Sequence, residues 1–440
     1  MLPSFAKARQ FSALLSRFAE ILPETRTRLA TLRKTHSNTV VDNMTLAQLL
    51  GGMRGSKLIL TATSTVDPQE GILFRGLTVR EVLRKLPRSE RYPMTEGMLF
   101  LLMTGELPTH EEVEDLRLEL IARARLPAET IALMQSLPAN IPSLTQLSMG
   151  LLSLQTHSHF AKAYTQGIKK SEYWKPIFED SLDLIARLPV IAAYIYKTKY
   201  RIGPVGRIDE QLDWAANFGN MIGFHDRTLH EFLRMYTIIH SDNSGGNVSA
   251  HATHLVGSAL SDPYLSYSAG LNGLSGPLHG LAGQAFMKWL IKARGELGDR
   301  STEARLEAYV RKTLEAGQRI PAFGHEVLKV EDPRFLCQKD FALTYAGNDP
   351  LCRMVNLCHR VIPKVLKEVL KVEHPWPNLY AYTGAILHHY GISEYEYFSV
   401  LFGVSRAIGC MSQLIWSRGL GMPIERPGSV NVEILQKLTS

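Results

Sequence analysis

Cysteine is scarce in this chain of 440 residues: Cys337, Cys352, Cys358 and Cys410 all fall in the last quarter, and none belongs to a CxxC pair. That spacing excludes a disulfide framework and a structural zinc site, and it suits a reducing compartment. Charge of one sign is thin as well. Lys and Arg number 49 against 42 Asp and Glu, and the formal net charge of +7 is spread along the whole chain. Such a field favours anionic partners but marks no nucleic-acid surface. The longest apolar runs, Leu188 to Tyr196 and Met98 to Met103, fall well short of the roughly 18 residues a membrane helix requires, so no membrane partner is expected. No repeat, low-complexity tract or glycine- and serine-rich linker divides the chain. Strand signals are nearly missing, the one convincing extended stretch being LILTATSTVD followed by GILFRG, from Leu58 to Gly76.

Helical signals fill the rest. In THEEVEDLRLELIARAR, Thr109 and Glu112 are spaced for a capping box, and Val113, Leu116, Leu120 and Ala124 recur on one helical face. In STEARLEAYVRKTLEAG, Leu306, Val310 and Leu314 form a stripe and Gly317 supplies a stop. EYEYFSVLFGVSRAIGCMSQLIWSR is apolar around most of its circumference, which predicts a helix in a core or at a subunit interface. Arg406, inside it, then needs an anion. The class is all-α, and an apolar content of 45% over this length allows two or three domains of about 150 residues. The first 17 residues contain Lys7, Arg9 and Arg17 and no acid, with Phe5, Phe11, Leu14 and Leu15 interleaved, as in a mitochondrial targeting segment. They read equally as the start of a first helix.

Glycine and proline punctuate four loops: HSDNSGGNVSAH (240–251), GLNGLSGPLHG (270–280), IPAFGHE (320–326) and HPWPNLYAYTG (374–384). Such loops let backbone approach a ligand closely. Around them gather His240, His251, His254, His279, His325, Arg334, Arg406 and Arg426. Any one histidine is more often a structural residue than a catalyst, but His279 in GPLHG and His325 in FGHE sit beside glycines that expose ring and backbone together. His251 and His254 are the only histidine pair at i,i+3 among the eight residues, and no carboxylate follows at a third-ligand distance, so no metal site is expected.

These motifs resemble the mitochondrial (eukaryotic) type of citrate synthase. The resemblance runs through HSNTVV (36–41), GGMRG (51–55), SDNSGGNVSAHATHLVGSALSDPYLSYSAGLNGLSGPLHGLAGQ, IPAFGHEVLKVEDPRFLCQ, HPWPN and LFGVSRAIGCMSQLIWSRGLGMPIERP, and covers nearly the whole chain from about residue 20. It implies an all-α homodimer with a targeting segment over 1–17, a large domain of 18–279 and 389–440, and a small domain of 280–388 that closes over the active site. It implies condensation of acetyl-CoA with oxaloacetate to citrate and CoA in the mitochondrial matrix, without a further cofactor. By the same resemblance Arg334, Arg406 and Arg426 hold the oxaloacetate carboxylates, Arg426 reaching into the partner subunit's site. His279, oriented by Ser249, donates to the enol oxygen, and His325 donates to the ketone. Arg54, Lys162, Lys329 and Asn378 meet the coenzyme, Lys162 across the dimer.

Two positions depart from the family's pattern. The family has an aspartate two residues after the PWPN asparagine, as the base that takes the methyl proton; this chain reads Asn378, Leu379, Tyr380. Asn243 stands where the family uses a histidine for oxaloacetate, and its amide can still donate a hydrogen bond. An ordinary tyrosine, with pKa about 10, is phenolate only to about one part in a thousand at neutral pH, a handicap of roughly 4 kcal/mol. Nearby arginines are expected to lower that pKa and recover part of the loss. Glu326 and Glu373 are other acids close in sequence. The expected activity is impaired condensation; the alternative is a weak or inactive paralogue serving as an oxaloacetate- and CoA-binding or structural dimer.

Overall fold

The computed structural model describes residues 13–299, 301–325 and 327–439. Helices dominate, and the one sheet among the described residues is a three-stranded antiparallel unit, β1 (Ser64–Asp67), β2 (Gly71–Phe74) and β3 (Leu77–Thr78), in sequence order. Ser64 pairs with Phe74 and Asp67 with Gly71. The extended stretch expected from Leu58 therefore begins pairing only at Ser64.

The core is built on two long helices, Trp174–Lys199 and Phe398–Gly419, packed against each other. Nearly every side chain of Phe398–Gly419 is buried, as its composition predicted. Together with the preceding turn, Tyr395–Gly419 is long and apolar enough to cross a bilayer, which contiguous-run reading missed because Arg406 and small polar residues interrupt it. Here its most apolar window lies wholly inside the protein. Gly409 in this helix admits the 241–242 backbone: its N–H donates to Ser241 O at 3.0 Å, and a Cβ there would meet Asp242 Cβ at 2.5 Å.

The first described helix, Ala13–Thr35, buries Leu14, Phe18 and Leu22 at i,i+4 spacing. Phe18 packs edge-on against Trp174 and Trp416, with centroids 5.3 and 4.9 Å away. Arg17 forms a two-armed pair with Glu106 at 2.7 and 2.6 Å. Residues 13–17 of the proposed targeting segment are thus packed parts of the fold, and residues 1–12 lie outside the described residues. The two sequence-predicted amphipathic helices form at His110–Arg123, with the Thr109–Glu112 capping box, and at Glu303–Glu315, capped by Thr302.

Ala282–Leu297, Glu303–Glu315, Pro333–Tyr345, Pro350–Val369 and Tyr380–His389 pack largely on one another as a second helical cluster. The loops carrying His279, His325 and Tyr380 lie where this cluster meets the first.

Candidate active site

Asn247 organises the first side of the site. It caps the helix Val248–Ser258 by accepting from Ala250 N at 3.2 Å, while its amide donates to the carbonyls of Asn243 (2.9 Å) and Ser244 (3.1 Å). Its Oδ1 also takes the Ser249 hydroxyl at 2.8 Å and the Arg406 guanidinium at 3.2 Å. Behind it, Asp242 accepts the hydroxyls of Thr63 (2.5 Å) and Ser64 (2.8 Å), so β1 fixes the loop. Gly270 lets the helix Pro263–Leu274 press against Ser249, whose carbonyl would lie 2.8 Å from a Cβ at that position.

Arg406 is 1% exposed, donates from Nε to His240 O at 3.1 Å and lies over the Phe402 ring at 4.8 Å. No carboxylate among the described residues pairs with it. A buried, unneutralised guanidinium backed by neutral acceptors is a ready receptor for a ligand carboxylate.

His279 Nε2 lies 2.9 Å from Ser249 Oγ and 3.3 Å from Ser249 N–H. Ser249 N–H asks Nε2 to accept, whereas Ser249 Oγ, whose proton goes to Asn247 Oδ1, asks it to donate, so these contacts fix no single tautomer. Burial, reinforced by Arg406, pushes the pKa of His279 down to about 4, so the ring is neutral at physiological pH. For His325 the tautomer is defined. Its Nδ1 accepts from Val327 N and Leu328 N, both at 3.0 Å, which puts the proton on Nε2. Its pKa is also pushed down to about 4, first by burial and then by Arg334. The site thus holds two neutral imidazoles, and His325 keeps its Nε2–H for a ligand.

The second side is laced by backbone. Gly324 N donates to Trp376 O at 2.8 Å and Asn378 N to Ala322 O at 3.0 Å, an antiparallel bridge joining FGHE to PWPN. Gly324 has φ +86, a conformation that glycine adopts without a steric cost. Asn378 adds Nδ2 to Gly324 O at 3.2 Å and receives Tyr380 N on Oδ1 at 3.1 Å, starting the helix Tyr380–His389.

Tyr380 is half-buried, its ring 6.0 Å from Phe402. Arg406 and Arg334 act to lower its pKa, as expected from sequence, but burial outweighs both and the net shift is upward. Tyr380 is therefore a protonated phenol at neutral pH, and the arginines do not recover the handicap. Arg334 is 3% exposed and gives two of its donors to Asp332, Nε at 2.9 Å and Nη2 at 2.8 Å. That carboxylate, held below its usual range by Arg334, is a weak base. Glu373 is exposed beside His374, and Glu326 lies outside the described residues.

The remaining sequence-predicted residues are dispersed. Asn243 is half-buried on the first side, its N–H on Asp242 Oδ1 at 2.9 Å. Arg54, Lys162 and Lys329 are exposed, the last with its N–H on Pro68 O at 2.8 Å. Arg426 is exposed in the extended 422–431 segment, held by Glu425, whose carboxylate meets His251 at 2.8 Å and whose N–H donates to Ser258 Oγ at 3.0 Å. The structure therefore brings six of them together, with Arg406 acting on His279 and Tyr380, Arg334 acting on His325 and Tyr380, and Asn247 joining Arg406 to Asn243, whereas Arg54, Lys162, Lys329 and Arg426 are exposed. Sequence reasoning missed Asn247 and Asp332 as organisers. Both open helices, and the cap signals Asn-x-x-Ala and Asp-Pro-Arg were there to find them. No group of three His, Cys, Asp or Glu side chains among the described residues could hold a metal.

Fold and site together define a two-domain, all-α enzyme architecture whose cleft combines buried arginines with neutral histidines. Comparison with known proteins specifies it further. The sequence profile of "Citrate synthase, C-terminal domain" matches residues 52–428. The chain is 47% identical over 425 residues to citrate synthase, mitochondrial, of Daucus carota, covering 96% of this chain and 90% of that protein. It is 46% identical over 430 residues to a probable mitochondrial citrate synthase of Glossina morsitans morsitans, covering 97% and 92%. A crystal structure of citrate synthase from Pyrobaculum aerophilum superposes with a TM-score of 0.75 at 25% identity, over 87% of this chain and 92% of that one. The chain belongs to the citrate synthase family.

Proposed function

We propose that the protein condenses acetyl-CoA with oxaloacetate to citrate and CoA, at a rate limited by removal of the methyl proton. The observation behind this reading is a pair of neutral imidazoles, His279 facing Arg406 and His325 facing Arg334, with Arg406 buried and without a carboxylate partner among the described residues. Oxaloacetate's carboxylates take Arg406, the free donors of Arg334 and, from a second subunit, Arg426, with Asn243 as an additional donor. His325 Nε2–H polarises the ketone. His279 Nδ1–H bonds the thioester oxygen as negative charge develops there. With no carboxylate in place water takes the methyl proton, the enolate carbon attacks the ketone, the alkoxide takes the Nε2 proton of His325, which the released proton restores, and a second water adds to the citryl-CoA thioester to give citrate and CoA. Arg54, Lys162 of the facing subunit, Lys329 and Asn378 receive the coenzyme.

What this arrangement lacks is a carboxylate for the methyl proton. A neutral phenol at Tyr380 does not replace one, and losing a positioned base typically costs about 10² to 10⁴ in rate. The assembly proposed is a homodimer in the mitochondrial matrix, with lobes of 18–279 plus 389–440 and of 280–388. Support for the dimer is that Arg426 lies outside the cleft of its own chain; light scattering at micromolar concentration should give twice the chain mass, and a monomer would remove Arg426 from the mechanism. Support for the location is the basic, acid-free start and the mitochondrial relatives.

Free CoA release from acetyl-CoA and oxaloacetate by the purified protein tests the activity. Slow, oxaloacetate-dependent turnover is expected. A second reading, a binding dimer without turnover, is favoured by the protonated Tyr380 in the acetyl pocket. It predicts an oxaloacetate-induced rise in melting temperature with no CoA release above the uncatalysed rate.

A further inference from the structure

A second buried guanidinium lies at the other end of the helix Phe398–Gly419. Arg418 is 5% exposed, and its Nε is buried without a hydrogen-bond partner. Burial pulls its pKa below the ordinary arginine value, and no carboxylate opposes that shift. A buried charge is costly unless it is paired, and no carboxylate among the described residues pairs with Arg418, so its position in an otherwise apolar helix calls for an anion.

Arg418 lines a cavity of about 370 Å³, separate from the cleft of the two histidines. The other walls are Tyr173, Ser258, Leu260, Met422, Pro423 and Ile424, with Lys170 at the rim and no acid among the lining residues. The acids adjacent in sequence are engaged elsewhere, Glu172 with Lys175 and Glu425 with His251. Arg26 ties the rim together, donating to Gly419 O at 2.6 Å and Ser171 O at 3.0 Å. Leu260 holds φ +67, where glycine is favoured and a bulky side chain is disfavoured. That conformation ends the helix Val248–Ser258 and turns an isobutyl group into the wall.

We propose that this cavity binds an amphipathic monocarboxylate of medium-chain fatty-acid type, its carboxylate on Arg418 and its chain against Leu260, Met422, Pro423 and Ile424. The volume lies within the range of small-ligand pockets and accommodates an eight-carbon chain. One buried charged donor against mostly apolar walls, with the second cation, Lys170, at the rim, favours a single anionic head over a polyanion.

Octanoate, octan-1-ol and inorganic phosphate serve as probes, with binding to the full-length protein followed by titration calorimetry. Saturable octanoate binding is expected, with octanol and phosphate each at least about tenfold weaker. Arg418→Gln should weaken octanoate about tenfold or more while leaving octanol unchanged, and it leaves no buried partner unsatisfied. Leu260→Trp, which fills the cavity and keeps the charge, should remove binding of both. No saturable octanoate binding at millimolar concentration would overturn the proposal, as would equal affinity for octanol, or octanoate binding that survives both substitutions. Phosphate binding as tightly as octanoate would overturn the amphipathic assignment.

Discussion

The two sides of the cleft are wired in opposite ways. Around Arg406 the links are made by side chains: the Asn247 carboxamide joins Ser249, Arg406 and the Asn243 and Ser244 carbonyls, while Asp242 gathers the hydroxyls of Thr63 and Ser64. Around His325 they are made mostly by backbone, through the Phe323–Pro377 bridge and the two amides that hold His325 Nδ1. A backbone-wired region keeps its geometry when a side chain is exchanged. A side-chain-wired region does not. Tyr380, read from the sequence as a departure from the family's pattern, falls on the backbone-wired side, where the helix start depends on Tyr380 N–H and not on its ring. Asn243, the other departure, sits on the side-chain-wired side but takes part through its own N–H and carbonyl.

The largest expected effect tests whether the Tyr380 side lacks only its base. Tyr380→Asp should raise CoA release at pH 7 to 8 by about 10² or more, since it supplies a carboxylate and clears space for the acetyl group. Tyr380→Phe should leave the slow wild-type rate unchanged, because a protonated phenol contributes no base. A rate that rises steeply with pH in the wild type and vanishes in Tyr380→Phe would show a phenolate at work and break this account. No gain from Tyr380→Asp in an inactive parent would favour the binding-dimer reading.

Next in size is Asn247→Ala. Loss of a helix cap typically costs about 1 kcal/mol, and stranding the acceptor and donors around it adds about 1 to 3 kcal/mol. Chemical denaturation should show a fall of about 2 to 4 kcal/mol, with the oxaloacetate-induced melting shift lost as well. Asn243→Ala should stay within about 0.5 kcal/mol of wild type in the same measurement, because its amide has no partner among the described residues. Equal losses at 243 and 247 would erase the distinction between side-chain and backbone wiring.

The smallest effect is on pH dependence. His279 and His325 are held with pKa about 4, against the ordinary 6.5. Between those values the unfolded chain binds more protons than the folded one, so stability rises with pH across the window and is lost as pH falls from 6.5 toward 4. Melting temperatures over pH 4 to 7 should fall more gently in His279→Gln and His325→Gln than in wild type. Parallel curves would show that the rings are not buried neutral.

Sequence reading reached the helical class, the two capped amphipathic helices and six residues that the cleft brings together, because caps and apolar spacing are local signals. It missed Asn247 and Asp332, whose importance lies in contacts to Arg406, Ser249 and Arg334 that only the fold brings about. The sign of the Tyr380 shift was also beyond it. Three arginines suggest a lowered pKa when counted along a sequence, whereas the loss of water around the ring is a property of the assembled cleft.

Arg406 has a second consequence, for the chain before it folds. Tyr395–Gly419 spans 25 residues of bilayer-compatible composition, and Arg406 falls one residue from its midpoint. An arginine near the centre of such a segment opposes lateral partition into a membrane by about 3 kcal/mol. A chain threaded through a translocation channel therefore carries, in Arg406, a signal to pass through and not to stop. Arg406→Leu should accordingly produce a sorting defect on import, recoverable in the carbonate-resistant membrane fraction, where wild type should be absent.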